Sequence, residues 1–220
     1  MDNTDIVSGK YVVGLLRSVL NGTSPDLCEN DVDWDKLKEI AASHHVTNMV
    51  YYAIEKFSVA VPCEILDYFS QEHMKSLLRD AQQQADIELI LSEFSNNSIR
   101  SLPLKGYIMK EYYPSPDMRY MSDLDVLVDL ENLQKAHEVL ENLGYTFSFE
   151  GKDTDNFEKK PVMYIEVHKH LMDEDMETIA DYYNSSSGFL RAKPLENDAY
   201  AYPLSDEEFY LYMIAHLAKH

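Results

Sequence analysis

Cysteine is scarce in this chain, whose 220 residues include only Cys28 and Cys63. Two cysteines without a recognisable spacing cannot build the disulfide framework of a small secreted domain or the thiolate cage of a structural zinc site. Such scarcity suits a reducing compartment, and we therefore expect a cytoplasmic protein.

Positive charge is also scarce. Lysine and arginine together number 19 against 39 aspartates and glutamates, which gives a formal net charge of −20. Because so acidic a surface repels polyanions, we expect no long nucleic acid as a partner. A small metal-bound nucleotide remains compatible, since salt screens distant surface charge beyond about 8 Å and local cations then dominate. The charge therefore favours small-molecule or protein partners.

Long hydrophobic runs are missing as well. The apolar stretch 11–16 is interrupted by Arg17, and the residues before it include Asp2 and Asp5, unlike a signal peptide or a membrane-spanning helix. We expect no membrane association. With 45% hydrophobic and 26% charged residues, the composition is instead that of a folded globular protein.

The first hundred residues have helical periodicity. Apolar residues recur every fourth position in Leu77, Ala81, Ala85 and Leu89, and Ile90 and Phe94 extend this apolar face, which predicts a long helix. We predict helices over residues 10–20, from 33 onward, over 48–57 and from 62 to 96. The region 1–99 is therefore expected to be an N-terminal helical region.

From residue 101 the pattern changes to short extended segments. Strands are predicted over 102–104, 123–129, 145–149 and 162–167. A Lys105-Gly106 turn and a short helix over 107–113 follow the first strand, and a helix from Leu133 ends near Gly144. Residues 100–172 are expected to form an α/β core.

The last segment, 173–220, has a weaker pattern. A helix is predicted over 177–183, a loop over 185–188 and a helix from Ser205, where Ser205 and Glu208 have capping-box spacing. This helix reaches His220 without a C-terminal cap, so we expect the segment to be the start of a longer helical region. His216 and His220 have i, i+4 spacing, but without a third ligand they predict an exposed helix face rather than a zinc site.

Asp123 and Asp125 occupy alternate positions of a predicted strand. Side chains two residues apart leave the same face of a strand, with backbones about 7 Å apart. Leu124, Val126 and Val128 would face the core, so the strand should be half-buried. An isolated acid-x-acid pair is more often a solvated strand edge, but two such carboxylates can also hold a divalent cation.

A third acid, Glu166, lies in the predicted strand that ends at His168. If this strand pairs with 123–129 in the matching register, Glu166 lies about 5 Å from an aspartate, whereas a one-residue shift turns it away. Clustered carboxylates repel one another without a metal, and their oxygens suit Mg²⁺ or Mn²⁺ that carries substrate phosphates. His168 shares the face of Glu166 and could line an acceptor pocket, act as a base or merely hydrogen-bond to its neighbours.

Several segments together resemble an uncharacterised bacterial nucleotidyltransferase family. In chain order they are Leu104-Lys105-Gly106, Tyr113-Pro114, Arg119, residues 122–128, Gly144-Tyr145 and Glu166-Val167-His168. Relatives of that family have the DNA polymerase β-like fold. The resemblance implies an α+β protein with a small mixed sheet flanked by helices, an N-terminal helical region and a C-terminal helical segment.

The signature of that superfamily is a Gly-Ser turn that contacts triphosphate, then an acid-x-acid strand, then a third acid on a later strand. By position, Gly106 matches the glycine of the turn and Asp123 and Asp125 match the metal ligands. Glu166 matches the third carboxylate, which binds metal or accepts the acceptor's proton. The resemblance thus assigns these three acids to catalysis and metal binding.

The turn departs from the superfamily pattern because Tyr107 stands where serine is usual. Lys105 and Arg119 are expected to compensate, since each offers a cation to phosphate and arginine can bind it through two nitrogens. Ser122, which precedes the first aspartate, is a further candidate for nucleotide binding.

The resemblance implies transfer of a nucleoside monophosphate from a nucleoside triphosphate such as ATP to an acceptor hydroxyl, with Mg²⁺ or Mn²⁺ and release of pyrophosphate. The acceptor would be a small molecule or a protein. Two alternatives stay open. One is a degenerate relative that binds nucleotide or a partner protein without catalysis, and the other is a toxin-like enzyme that modifies a protein or an RNA end.

Overall fold

The computed structural model describes residues 3–26, 32–160, 163–172, 177–184 and 192–219. The chain divides into two compact units. The helical unit comprises Met1–Ala81 and Met109–Tyr120, and the sheet unit comprises Gln82–Ile108 and Met121–His220.

The helical unit contains α1 (Asn3–Asn21), α2 (Trp34–Ser43), α3 (Thr47–Phe57) and α4 (Cys63–Asn96) as far as Ala81. The helix α2 begins where the carboxylate of Asp33 accepts a hydrogen bond from the backbone N–H of Lys36, 3.0 Å away. One apolar cluster holds the helices together, and its fully buried members include Leu15, Leu37, Val50 and Phe69. The predicted helices of this region are confirmed.

Residues 109–120 belong to the helical unit although they follow the first strand in sequence. Two short 3-10 turns, Lys110–Tyr112 and Pro116–Met118, shape this segment. Asp117 is buried and accepts hydrogen bonds from Asn48 Nδ2, at 2.7 Å, and from the hydroxyl of Tyr52, at 3.0 Å. Burial alone would raise the pKa of Asp117, but the hydrogen bonds from Ser115, Asn48 and Tyr52 outweigh it and hold the pKa below its ordinary value.

The sheet unit contains a five-stranded mixed sheet. Its strands are β1 (Ser101–Pro103), β2 (Leu124–Val128), β3 (Thr146–Glu150), β4 (Thr154–Lys159) and β5 (Met163–His168), in the spatial order β1-β2-β5-β4-β3. Strands β2 and β5 are parallel, and the other three pairs are antiparallel. The predicted α+β class with a small mixed sheet and flanking helices is confirmed.

The described part of this unit also contains the helices α5 (Lys105–Met109, whose last residue belongs to the helical unit), α6 (Leu133–Asn142), α7 (Glu177–Asn184) and α8 (Asp206–Lys219). Residues from α4 and α6 share one buried cluster with β2, β4 and β5, as Phe94, Leu140, Val126, Phe157 and Val167 illustrate. The left-handed backbone of Gly144, with φ of 87°, follows the end of α6 as predicted.

The buried face of α4 agrees with the predicted one only in part. The helix itself and the burial of Ile90 and Phe94 are confirmed, but Leu89 is 45% exposed, and Ile87, outside the predicted face, is buried. Gln83 lies on the buried side because its Nε2 donates a hydrogen bond to the carbonyl oxygen of Met121 at 3.1 Å. The fourfold recurrence therefore marked a helix but not its core-facing residues.

Strand β2 is fully buried rather than half-buried, so that prediction was wrong. Leu124, Val126 and Val128 join the core as expected, but Asp125 and Leu127 on the other face are also only 5% and 0% exposed. The strand lies between β1 and β5, and polar side chains cover Asp125 on its second face.

Strand β4 was not predicted, because Phe157 is its one apolar residue. It forms because β5 and β3 pair with it on both sides. The buried carboxylate of Asp155 lies 3.0 Å from His137 Nε2 and 2.8 Å from Lys169 Nζ, which compensates its charge.

None of the described helices is long and apolar enough to cross a bilayer. The predicted loop over 185–188 and the predicted helix end at His220 lie outside the described residues.

Candidate functional site

The pairing of β2 with β5 determines where the acidic residues meet. In this parallel register Asp125 lies directly opposite Glu166. Side chains alternate along a strand, so His168, two residues beyond Glu166, leaves the same face. The sequence left this register open, and the structure has the one that brings the second and third acids together.

Asp125 is the most enclosed of the predicted acids. Its Oδ1 lies 2.7 Å from Lys105 Nζ and 2.8 Å from His168 Nε2. Burial alone would raise the pKa of Asp125, but the hydrogen bond from His168 and the charge of Lys105 outweigh it, so the pKa lies below its ordinary value. Asp125 is therefore an ionised carboxylate at neutral pH.

Glu166 has the opposite electrostatic environment. Burial raises the pKa of this carboxyl, and the negative charges of Asp125 and Asp123 raise it further. His168 Nε2 lies 3.7 Å from Glu166 Oε2, beyond hydrogen-bonding distance. Glu166 is therefore a better proton acceptor than an ordinary glutamate.

Lys105 and Gly106 were predicted as a turn, but they are the first two residues of α5, and the predicted helix over 107–113 is divided between α5 and the 3-10 turn Lys110–Tyr112. The backbone N–H of Leu104 donates to the carbonyl oxygen of Asp125 at 2.9 Å, which ties the start of α5 to β2. Lys105 has a φ of 42°, in the left-handed region that non-glycine residues rarely adopt. A Cβ on Gly106 would lie 3.1 Å from Met121 Cγ, so a larger residue at this position requires the Met121 side chain to shift by a few tenths of an ångström. The ring of Tyr107 packs against the core cluster.

A cavity of about 490 Å³ lies beside Lys105 and the acids Asp123 and Glu166, which form part of its wall. This volume falls within the range of about 300–1,000 Å³ that is usual for small-molecule sites. Lys105, Lys152 and His168 line it together with Asp123 and Glu166. Cations and carboxylates therefore meet in one pocket, as the binding of a metal-associated phosphate requires.

Two residues of α8 complete this cavity. Tyr212 and His216 line it, with ring centroids 6.1 Å apart and an angle of 26° between their planes. His216 is half-buried, so the prediction that it lies on an exposed helix face was wrong. Their i, i+4 spacing is the sequence signal that places both rings on one side of the helix.

Comparison with protein families identifies the family to which this chain belongs. A family model described as an uncharacterised nucleotidyltransferase matches residues 30–220, which include every site residue predicted from the sequence. The chain belongs to this family. The resemblance to a nucleotidyltransferase family is thus confirmed, whereas no curated protein and no solved structure matches the chain.

Nucleotidyltransferases usually use divalent metals, and the residues of this family member fit such an ion. Ligand atoms of Asp125, Glu166 and His168 all lie within 4.8 Å of one another. Carboxylates suit Mg²⁺ and Mn²⁺, and the imidazole adds affinity for transition metals. This group includes His168, which the predicted trio of Asp123, Asp125 and Glu166 did not.

Asp123 and Ser122 lie at the entrance to β2. Ser122 Oγ donates to Asp123 Oδ1 at 2.6 Å, and Asp123 lines the large cavity. Its predicted role as a metal ligand stays a prediction, as does nucleotide binding by Ser122.

Lys152 is a cavity residue that the sequence reasoning missed. It lies between β3 and β4, and because β4 was not predicted, the position of this loop could not be inferred. A lysine between two polar segments carries no distinguishing sequence signal.

Arg119 lies in the helical unit, directly after the turn Pro116–Met118. Its Nε is buried, and within the described parts of the chain no atom accepts a hydrogen bond from it. Phosphate binding by Arg119 stays a prediction.

Proposed function

We propose that this nucleotidyltransferase family member transfers a nucleoside monophosphate from a nucleoside triphosphate to an acceptor hydroxyl and releases pyrophosphate. The supporting observation is the register that places Asp125 opposite Glu166, so that both carboxylates and His168 present ligand atoms within 4.8 Å of one another. Phosphoryl transfer depends mainly on alignment and charge neutralisation, and an acid cluster beside lysines offers both.

Asp123, Asp125 and Glu166 would hold the divalent metal, with His168 as an additional ligand. When bound, Mg²⁺ or Mn²⁺ neutralises phosphate charge and orients the triphosphate. The ionised state of Asp125 at neutral pH suits this role, because metal ligands bind in the deprotonated form.

The large cavity would hold the nucleotide. Lys105 and Lys152 provide positive charge for the phosphates, while the half-buried ring of His216, which packs against the buried Tyr212, offers a surface for stacking on the base. Gly106 is the phosphate contact that the family resemblance implies, and Ser122 and Arg119 are further candidates for phosphate binding. ATP is the first nucleotide to test.

In the proposed step the acceptor oxygen attacks the α-phosphorus, and the bond from this phosphorus to the bridging oxygen of the β-phosphate breaks. The electron pair of that bond leaves with pyrophosphate. The hydroxyl proton passes to Glu166, the alternative to its role as a metal ligand, because this carboxylate lies beside Asp125 at the centre of the acid cluster.

One observation favours a second candidate, a relative that binds nucleotide without catalysis. Tyr107, at the position where serine is usual, packs against the core cluster, and Lys105 already pairs with the metal-binding candidate Asp125. Binding of triphosphate without formation of pyrophosphate would favour this candidate.

The test is thermal unfolding with Mg²⁺ or Mn²⁺ and each nucleoside triphosphate in turn. Selective binding to the folded state stabilises it by about 2.7 kcal/mol at a ligand concentration of 100 times Kd. We expect a metal-dependent rise of the midpoint with at least one triphosphate, and no rise in the double variant Asp123→Ala, Asp125→Ala.

The matched control is Glu138→Ala, Glu141→Ala, which removes two exposed acids of α6 in the same unit. This control should respond to triphosphate like the unmodified chain. Absence of a rise with every triphosphate, or an equal rise in the Asp123, Asp125 variant, would refute the proposed site. A pyrophosphate assay then separates the enzyme from the binding-only candidate.

A further inference from the structure

A second, smaller cavity of about 180 Å³ shares Asp123 and Glu166 with the large one. Its other polar lining residues are uncharged: Ser122, Ser148, Asn156 and Tyr164. The acid pair therefore has a cavity on each side.

The two cavities differ in charge. Two lysines, Lys105 and Lys152, line the large cavity together with Asp123, Asp153 and Glu166, whereas the described lining of the small cavity contains Asp123 and Glu166 but no cation. A triphosphate carries several negative charges and needs cations to offset them. Its phosphates therefore belong in the large cavity, and the small cavity has no cationic side chain among its described lining residues to offset a further negative charge.

The two cavities lie toward opposite ends of the strands beside Glu166. Along β5, His168 lines the large cavity and Tyr164 lines the small one, while Glu166 lies between them and lines both. Lys152 comes just before Thr154, which is paired with His168. In phosphoryl transfer the attacking and leaving oxygens lie roughly in line on opposite sides of the phosphorus. With pyrophosphate leaving into the lysine-lined large cavity, the attacking hydroxyl arrives from the small cavity, on the Tyr164 side.

We infer that the small cavity is the acceptor site and that it takes a small polyhydroxylated molecule without negative charge. This inference rests on the proposed function. Glu166 lines both cavities, so it lies where an acceptor hydroxyl would lose its proton.

The size and lining of the cavity define the acceptor class. At about 180 Å³ it is smaller than the usual range for drug-sized ligands, so it suits a molecule of monosaccharide size. Asn156 lines the cavity with a side-chain amide, a group that both donates and accepts hydrogen bonds. Tyr164 is half-exposed and adds a hydroxyl to the same wall. An amino group on the acceptor would gain further from the two carboxylates.

Three probes with one hexose skeleton separate the possibilities: glucosamine, glucose and glucose 6-phosphate. Binding is measured by NMR in the presence of Mg²⁺ and the α,β-methylene analogue of ATP, whose own affinity is measured separately. We expect glucosamine to bind at least as tightly as glucose, and glucose 6-phosphate to bind at least about tenfold more weakly.

Two variants locate the binding. Asn156→Leu should weaken hexose binding about threefold to tenfold and leave the affinity for the ATP analogue within about twofold. Lys152→Met, which changes a residue of the large cavity only, should weaken binding of the ATP analogue and leave the affinity for the hexose unchanged.

The outcomes distinguish this inference from the proposed function. If the analogue binds but no hexose does, or if glucose 6-phosphate binds best, the acceptor class is wrong and a protein or RNA acceptor replaces it. If Asn156→Leu weakens the analogue instead of the hexose, the assignment of the two cavities is wrong. If the analogue itself fails to bind, the proposed function fails.

Discussion

Lys105→Met should change metal binding and triphosphate binding in opposite directions. In the metal-free protein the ammonium of Lys105 lies 2.7 Å from Asp125 Oδ1, where it competes with a metal for this carboxylate. Removing the ammonium frees Asp125 for the metal, so the affinity for Mn²⁺ alone should rise. The same substitution removes a cation from the large cavity, so the affinity for the triphosphate should fall.

The magnitude follows from the geometry of the pair. With an effective dielectric constant of about 20, unit charges at the 2.7 Å separation of Lys105 Nζ and Asp125 Oδ1 attract by about 6 kcal/mol. The lysine side chain is 20% exposed, and hydration of the released ammonium recovers most of this energy. A net effect of about 1–2 kcal/mol remains, which corresponds to Mn²⁺ affinity about fivefold to thirtyfold higher.

The assay is titration of Mn²⁺ followed by the electron paramagnetic resonance of the free ion, first without and then with ATP. The control is Lys152→Met, which removes a cation from the same cavity but leaves the Lys105–Asp125 pair in place. The control should weaken ATP binding without raising the affinity for Mn²⁺ alone. If Lys105→Met leaves Mn²⁺ affinity unchanged or lowers it, Asp125 is not the carboxylate that the metal and Lys105 share.

Two further predictions concern the pKa shifts. Burial and the charges of Asp125 and Asp123 raise the pKa of Glu166, so its ionised form destabilises the metal-free fold above its unfolded-state pKa. Glu166→Gln should therefore raise the midpoint of thermal unfolding in EDTA at pH 7 by about 1–3 °C. The same variant should lose the rise of the midpoint that metal and triphosphate cause. A lower midpoint in EDTA would contradict this reasoning. The pKa of Asp117 is lowered, so its ionisation stabilises the fold at every pH above the unfolded-state pKa. This stabilisation is lost as the pH falls through the folded-state pKa, which lies below 3.8. In urea unfolding, Asp117→Asn should lower the free energy of unfolding by about 1–2 kcal/mol at pH 7 and by progressively less below pH 3.8. A decrease that does not depend on pH would point to lost packing instead.

The sequence predicted those elements whose pattern is local. Alternation of acids with Leu124 and Val126 was enough to predict β2, and Ile165 and Val167 were enough to predict β5. The existence of α4 and the burial of Ile90 and Phe94 followed from helical periodicity, although the rest of its buried face did not. A face depends on what packs against the helix, and that information lies elsewhere in the chain.

Strand β4 depends on pairing that its own residues do not encode. Its sequence is mostly polar, and Asp155 is tolerated inside only because His137 and Lys169 reach it. The same reason explains why the Lys105–Asp125 pair and the position of Lys152 were not predicted. A charged side chain that is 20 residues from its partner in sequence gives no local sign of that contact.

Gly106 shows how a motif residue can have a structural reason of its own. The family resemblance matches it to a glycine that lets a turn approach triphosphate, but in this chain the space a Cβ would need is taken by Met121. Glycine at this position therefore does not by itself support phosphate binding. The case for a nucleotide rests instead on Lys105 and Lys152, two of only 19 basic residues in a chain with a formal charge of −20. Two lysines beside the acid cluster make the local field differ from that of the acidic surface, and short-range charge decides what a cavity binds once salt has screened the rest.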